Sequence, residues 1–151
     1  MWIDTNVSKS APVARQRDVG AYCPAERERT QAMKYMLLIY VDEVKGAQVA
    51  KEVGVAQMSA PYMAYTEALK QAGVIVGGDR LQPTTTATTV KVTDGKTKVL
   101  NGPYAETKEQ LGGFYMIDVP DLDAALSWAA RCPGAAHGTV EVRPLWTMQA
   151  G

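Results

Sequence analysis

Asn101-Gly102-Pro103-Tyr104-Ala105-Glu106-Thr107-Lys108-Glu109-Gln110-Leu111-Gly112-Gly113-Phe114-Tyr115 places a turn, a cluster of charges, a glycine pair and the start of an apolar strand within fifteen residues. Asn and Gly tolerate positive φ, and the Pro that follows presets its own φ while removing a donor, so the stretch opens on a turn. Thr107 and Gln110 have capping-box spacing, in which each side chain satisfies a backbone amide of the other. Gly112-Gly113 is expected to end that capped turn before a helix develops. The segment reads as a structured loop that delivers charges to the mouth of a strand.

Downstream, Phe114 to Val119 reads as that strand, closed by Pro120. Asp121 caps a helix whose Leu122, Ala125, Leu126 and Ala129 face the core, ending at Cys132-Pro133-Gly134. A last strand runs from Thr139 to about Trp146. Upstream, Thr85 to Thr93 and Lys96 to Asn101 flank Asp94-Gly95, a strong hairpin signal. Gly95-Lys96-Thr97 looks like the end of a phosphate-binding loop, but Val90 stands where that loop needs its earlier glycine, so no nucleotide site is expected. Gly77-Gly78 follows a short strand at Val74-Ile75-Val76 and reads as a bulge or tight turn.

Further upstream, Met58, Tyr62, Tyr65, Leu69 and Ala72 recur at helical spacing. Ser59 is the expected cap, Pro61 fits the first turn, and Gly73 stops the helix. A helix starting earlier, near Ala47, is expected to kink at Pro61. Tyr35 to Val41 is a strand apolar on both faces, hence central and covered on both sides. The order strand, helix, strand, hairpin, strand, helix, strand predicts an α+β fold with two helices on one face of an antiparallel sheet.

The 151 residues suit one domain with a substantial core. Sixteen basic residues balance sixteen acidic ones and form no block, which argues against a nucleic-acid partner. The longest strongly apolar run, Tyr35 to Val41, is far short of a membrane span, and the first residues lack the pattern of a signal peptide. No membrane partner and a cytoplasmic setting are expected. Cys23 and Cys132 belong to no CxxC pair, and reduced thiols are expected rather than a disulfide between them. The single histidine, His137, leaves too few ligands for most transition-metal sites and reads as a loop residue. No metal or cofactor is expected.

Residues 1–32 show no sustained helix or strand period. They read as an N-terminal extension without regular structure, vector-derived or from an upstream start codon, ahead of a domain spanning 33–151. The other reading is a tail that orders on a partner through Trp2 and Ile3.

Several segments together resemble the YCII-related family, in its DGPF branch. They are Met33 to Ile39, Ala87-Thr88-Thr89-Val90, the loop Asn101 to Glu109, Gly112-Gly113-Phe114-Tyr115, Asp121 to Leu126, and Val140-Glu141-Val142-Arg143-Pro144. The resemblance implies a ferredoxin-like sheet with two helices on one face, pairing as a dimeric α/β barrel. It also implies a regulatory setting, because some family members are encoded beside extracytoplasmic-function sigma factors. Asn101 stands here for the first Asp of the branch's motif and Tyr104 for its Phe. The His-Asp pair proposed as catalytic in the YCII branch has no motif match at His137.

Strand alternation nominates the site. Thr139, Glu141 and Arg143 share one face of the last strand, opposite Val140 and Val142, while Thr89, Lys91 and Thr93 oppose Val90 and Val92 in the hairpin. With helices on the valine side, the other side faces either water or the inside of a dimer barrel. Inside the barrel Glu141, Arg143 and Lys91 line a polar cavity, with Tyr104, Glu106 and Lys108 near its mouth. In this expectation Arg143, Lys91, Lys108 and Tyr104 bind a small anionic or carbonyl ligand, and Glu141 or Glu106 acts as base. Two functions follow: a small-ligand-binding or regulatory homodimer, with a sigma factor or another protein as possible partner, or a cofactor-independent enzyme of proton-transfer, isomerase or lyase type.

Overall fold

The computed structural model describes residues 32–146; all but the last residue of the expected N-terminal extension, and Cys23 with it, lie outside that range. Strand β1 (Met33–Val41) buries Tyr35, Leu37 and Ile39 on one face and turns Met36, Leu38 and Tyr40 to the other. It pairs antiparallel with β5 (Gln110–Val119) and with β6 (Thr139–Pro144), and β2 (Ile75–Arg80) lies beyond β5. The sheet order is therefore β2-β5-β1-β6, with β1 central as expected. Helices α1 (Glu43–Val53) and α2 (Val55–Gln71) connect β1 to β2, while α3 (Leu122–Arg131) and α4 (Gly134–His137) connect β5 to β6. This is the ferredoxin-like α+β fold, with four helices instead of the two anticipated.

One expectation for β1 is corrected. Its two faces are both apolar, yet within one chain only the face bearing Leu37 is covered; Met36, Leu38 and Tyr40 remain half-buried. The same holds on β5, where Gly113, Tyr115, Ile117 and Val119 are buried and Phe114 and Met116 are only half so.

The first helical region also differs. Asp42 is a cap, its Oδ1 accepting the amides of Val44 and Lys45 at 3.1 Å each. Helix formation therefore begins well before Ser59, whose hydroxyl donates to the Val55 carbonyl from inside α2. The break falls at Gly54, where φ is +87°, rather than at Pro61, which α2 accommodates. The expected capping box at Thr107 does not form either: its hydroxyl donates to the Glu109 carbonyl, and β5 begins at Gln110. Gly112 and Gly113 belong to β5 because strand pairing there outweighs the local turn. Gly112 takes up a bulge where the partner of β1 steps from Gly113 to Leu111, and a Cβ on Gly113 would meet the Asp79 carbonyl at 2.9 Å.

The hairpin forms as read, with Asp94 at φ +51° and Gly95 at φ +71° between β3 (Thr88–Thr93) and β4 (Lys96–Asn101). A 3-10 turn, Thr84–Thr86, occupies the expected start of its first strand. The hairpin is a separate two-stranded sheet, and no helix covers its valine side: Val90 is 61% and Val92 63% exposed. In α3, Ala125 and Ala129 are buried as expected, but Leu122 at the helix start is 43% exposed.

Leu37, Leu69 and Ile117 are fully buried between sheet and helices, and three tyrosines close the core around them. The Tyr65 hydroxyl donates to the Trp128 carbonyl at 2.8 Å. Thr66 donates to the Tyr62 carbonyl, which leaves the Tyr115 hydroxyl as the donor in its 2.9 Å bond to Thr66. Burial raises the pKa of Tyr62, Tyr65, Tyr115 and the Cys132 thiol. Above about pH 9 the unfolded chain therefore releases protons that the folded chain still holds, and stability falls as pH rises. Urea midpoints measured from about pH 8 to pH 11 should decline through this window. Tyr65→Phe should start lower, having lost a hydrogen bond of about 1 kcal/mol, but decline less steeply.

Candidate functional site

The uncovered face of the sheet carries a cleft at the end where β1 finishes and β6 begins. Its volume is ≈ 480 Å³, and its lining is Tyr40, Thr107, Glu109, Thr139 and Glu141. Pairing across β1 and β6 sets Tyr40 opposite Thr139 and Leu38 opposite Glu141, so Tyr40, Thr139 and Glu141 project from the same face. Glu109 comes from the loop ahead of β5 and reaches the last strand, where its carboxylate accepts the Thr139 hydroxyl at 2.8 Å. The turn closed by Thr107 on the Glu109 carbonyl holds that loop in place.

Two residues apart on β6, Glu141 and Arg143 form an ion pair, with Nε 3.4 Å from the carboxylate. Both side chains are open to solvent, at 45% and 68% exposure, so the pair itself adds little stability within one chain. The guanidinium uses its Nε edge here and leaves its terminal amino groups free for a ligand. Chemically, the cleft offers two carboxylates and an aromatic ring in its lining, with the planar guanidinium of Arg143 beside Glu141.

The expected site residues fall into two groups. Glu141 lines the cleft and Arg143 stands beside it. Tyr104, Glu106 and Lys108 lie in the exposed part of the loop, Tyr104 at 94% exposure, and Lys91 is on the detached hairpin. Among these four, none is in the cleft lining. Tyr40, Glu109 and Thr139 were not singled out from sequence. Alternation along β1 does place Tyr40 with Leu38 and Met36, and that signal was masked by reading both faces of the strand as covered.

Among the described residues, no group of His, Cys, Asp and Glu is placed to hold a metal ion. Nor is any described helix long and apolar enough to cross a membrane. His137, the last residue of α4, is exposed.

An uncharacterised protein of Rhizobium meliloti (strain 1021) is 42% identical over 124 residues, covering 79% of this chain and 97% of the relative. The model of the YCII-related domain matches residues 33–149, which takes in every strand and helix of the fold and the whole cleft. The chain belongs to the YCII-related family.

Proposed function

We propose that this protein is a small-ligand-binding homodimer whose ligand occupies the cleft between β1, the loop ahead of β5 and β6. The convergence of Glu109, Glu141 and Tyr40 beside Arg143 carries the reading. Two carboxylates in the lining disfavour a purely anionic ligand through like-charge repulsion. A compound with a hydroxyl or ammonium group at one end suits Glu109 and Glu141. A carbonyl or carboxylate at its other end suits the free edge of Arg143. Small hydroxy acids and amino acids have this form.

The homodimer is proposed from the uncovered sheet face. Met36, Leu38, Phe114 and Met116 leave an apolar surface there that water would have to solvate. Packing two such faces together also supplies the missing wall of the cleft.

Thermal shift with a panel of small hydroxy acids and amino acids tests the ligand. Arg143→Met should fold with a cost no larger than about 1 kcal/mol, because its ion pair is exposed, and should lose the response to whichever compound stabilises the parent. A cost of about 3–5 kcal/mol, recovered when Glu141→Gln is added, together with silence across the panel, would show a structural pair buried by the dimer instead. Conversion of a stabilising compound, followed by NMR, would make the site an enzyme's.

A further inference from the structure

Donors and acceptors are unevenly shared in the cleft. Two of its five lining residues are threonines, and both hydroxyls donate to Glu109: Thr139 to the carboxylate at 2.8 Å, Thr107 to the backbone carbonyl. A hydroxyl has a single proton to donate, so neither threonine keeps a donor for a ligand. Thr139 occupies Oε2 of Glu109 and leaves Oε1, while Arg143 lies against Oε1 of Glu141 and leaves Oε2. Apart from the Tyr40 hydroxyl, the side chains of the lining therefore accept and do not donate. Charge is uneven in the same sense. Glu141 is paired with Arg143, whereas among the described residues no lysine, arginine or histidine lies within ion-pair distance of Glu109. Two carboxylates against one guanidinium leave the cleft a negative charge in excess, and that charge sits on Glu109. Glu109 is half-buried, where a charge is screened less than on open surface.

We infer that the Glu109 end of the cleft selects an ammonium group over a hydroxyl, so that the ligand is an amino acid and not a hydroxy acid. The inference rests on the ligand cleft proposed above and narrows what that cleft takes. An ammonium brings three N–H donors and a positive charge to a lining rich in free acceptors; a hydroxyl brings one donor and no charge. Hydrogen bonds between charged partners are roughly twice as strong as neutral ones. The rest of the ligand adds to the difference. A hydroxy acid carries a net negative charge into a cleft that already has one in excess, whereas the two charges of an amino acid cancel. Its carboxylate suits the terminal amino groups of Arg143, left free because Glu141 engages Nε. Tyr40, in the same lining, favours the same choice, since an aromatic face attracts a cation.

The test titrates the full-length protein by calorimetry with pairs of compounds that differ only in the group concerned: glycine against glycolate, alanine against lactate, and phenylalanine against phenyllactate. In a pair that binds, the amino member should bind about tenfold tighter or more. Glu109→Gln keeps an oxygen to accept the Thr139 hydroxyl and should bring the two members of the pair level. Glu106→Gln removes the same charge from a residue outside the cleft and should leave the preference intact. Amide chemical shifts of the parent should move at residues 107–109 and 139–141 during the titration, which locates the ammonium even if Glu109→Gln fails to fold. A hydroxy member that binds as tightly as its amino partner overturns the inference and leaves the ligand cleft standing. So does a preference that survives in folded Glu109→Gln, or shifts confined to other residues. If no compound of either kind binds at millimolar concentration, the ligand reading fails and the inference falls with it.

Discussion

Leu37→Ala should destabilise the protein by about 3–5 kcal/mol and lower its melting temperature by on the order of 10 °C, an effect at the upper end for a single truncated core side chain. Leu37 is fully buried at the centre of the central strand, paired with Tyr115 on one side and Val142 on the other. The helix residues that complete its core include Ala125 and Ala129, whose side chains are single methyl groups. Those methyls cannot reach into the space left behind, and the larger helix side chains of the same core, Leu69 and Tyr65, are held by burial and by the Tyr65 bond to the Trp128 carbonyl, so the cavity closes only in part. That makes the cavity term, and not just the lost transfer energy, the larger part of the cost. Leu122→Ala removes the same atoms from a residue 43% exposed and should cost no more than about 1 kcal/mol. Chemical denaturation of both variants checks the contrast; equal losses would mean that the burial of Leu37 does not govern its contribution.

Gly138→Ala should cost roughly 3 kcal/mol and disturb the cleft as well. With φ at −157° Gly138 lies outside the left-handed region, and the obstacle to a side chain is space. A Cβ there would run into the Tyr40 carbonyl oxygen and lie 3.2 Å from its carbon and 3.3 Å from the Val41 Cα. All three are backbone atoms of β1 and cannot turn aside as a side chain would. The start of β6 must move away instead, taking Thr139 from Glu109 and weakening the pairing that holds Glu141 in the cleft. Gly46 is the control: it sits within α1 with nothing near the added methyl, and Gly46→Ala should stabilise by about 0.5–1 kcal/mol. A Gly138→Ala variant as stable as the parent, and as responsive to ligand, would show that β1 and β6 separate more easily than their packing implies.

Alternation of side chains along the chain was enough to establish much of this protein. Leu37 against Leu38 in β1, and Val142 against Glu141 in β6, each follow from a period of two, whatever the rest of the molecule does. The Asp94-Gly95 turn and the cap at Asp121 were equally local, because a left-handed dipeptide and a side-chain acceptor act within a few residues. Such signals sufficed for the α+β class and the face that carries Glu141 and Arg143, while the central place of β1 followed from its continuous apolar run, Tyr35 to Val41.

Tertiary structure decided what depends on distance. Gly112 and Gly113 entered β5 because β1 and β2 offered hydrogen-bonding partners on either side, a gain that no local turn preference could reveal. Glu109 joined the site, and Lys91 stood apart from it, through the same long-range placement: the loop folds across the end of β1 to Thr139, while the hairpin projects beyond the sheet. Covering of the sheet was likewise invisible in β1, since an apolar residue looks the same in sequence whether its neighbour is its own helix or another molecule. Helices α2, α3 and α4 pack on the Leu37 side, as right-handed crossovers from β1 to β2 and from β5 to β6 require, and this leaves Leu38, Tyr40 and the cleft on the other.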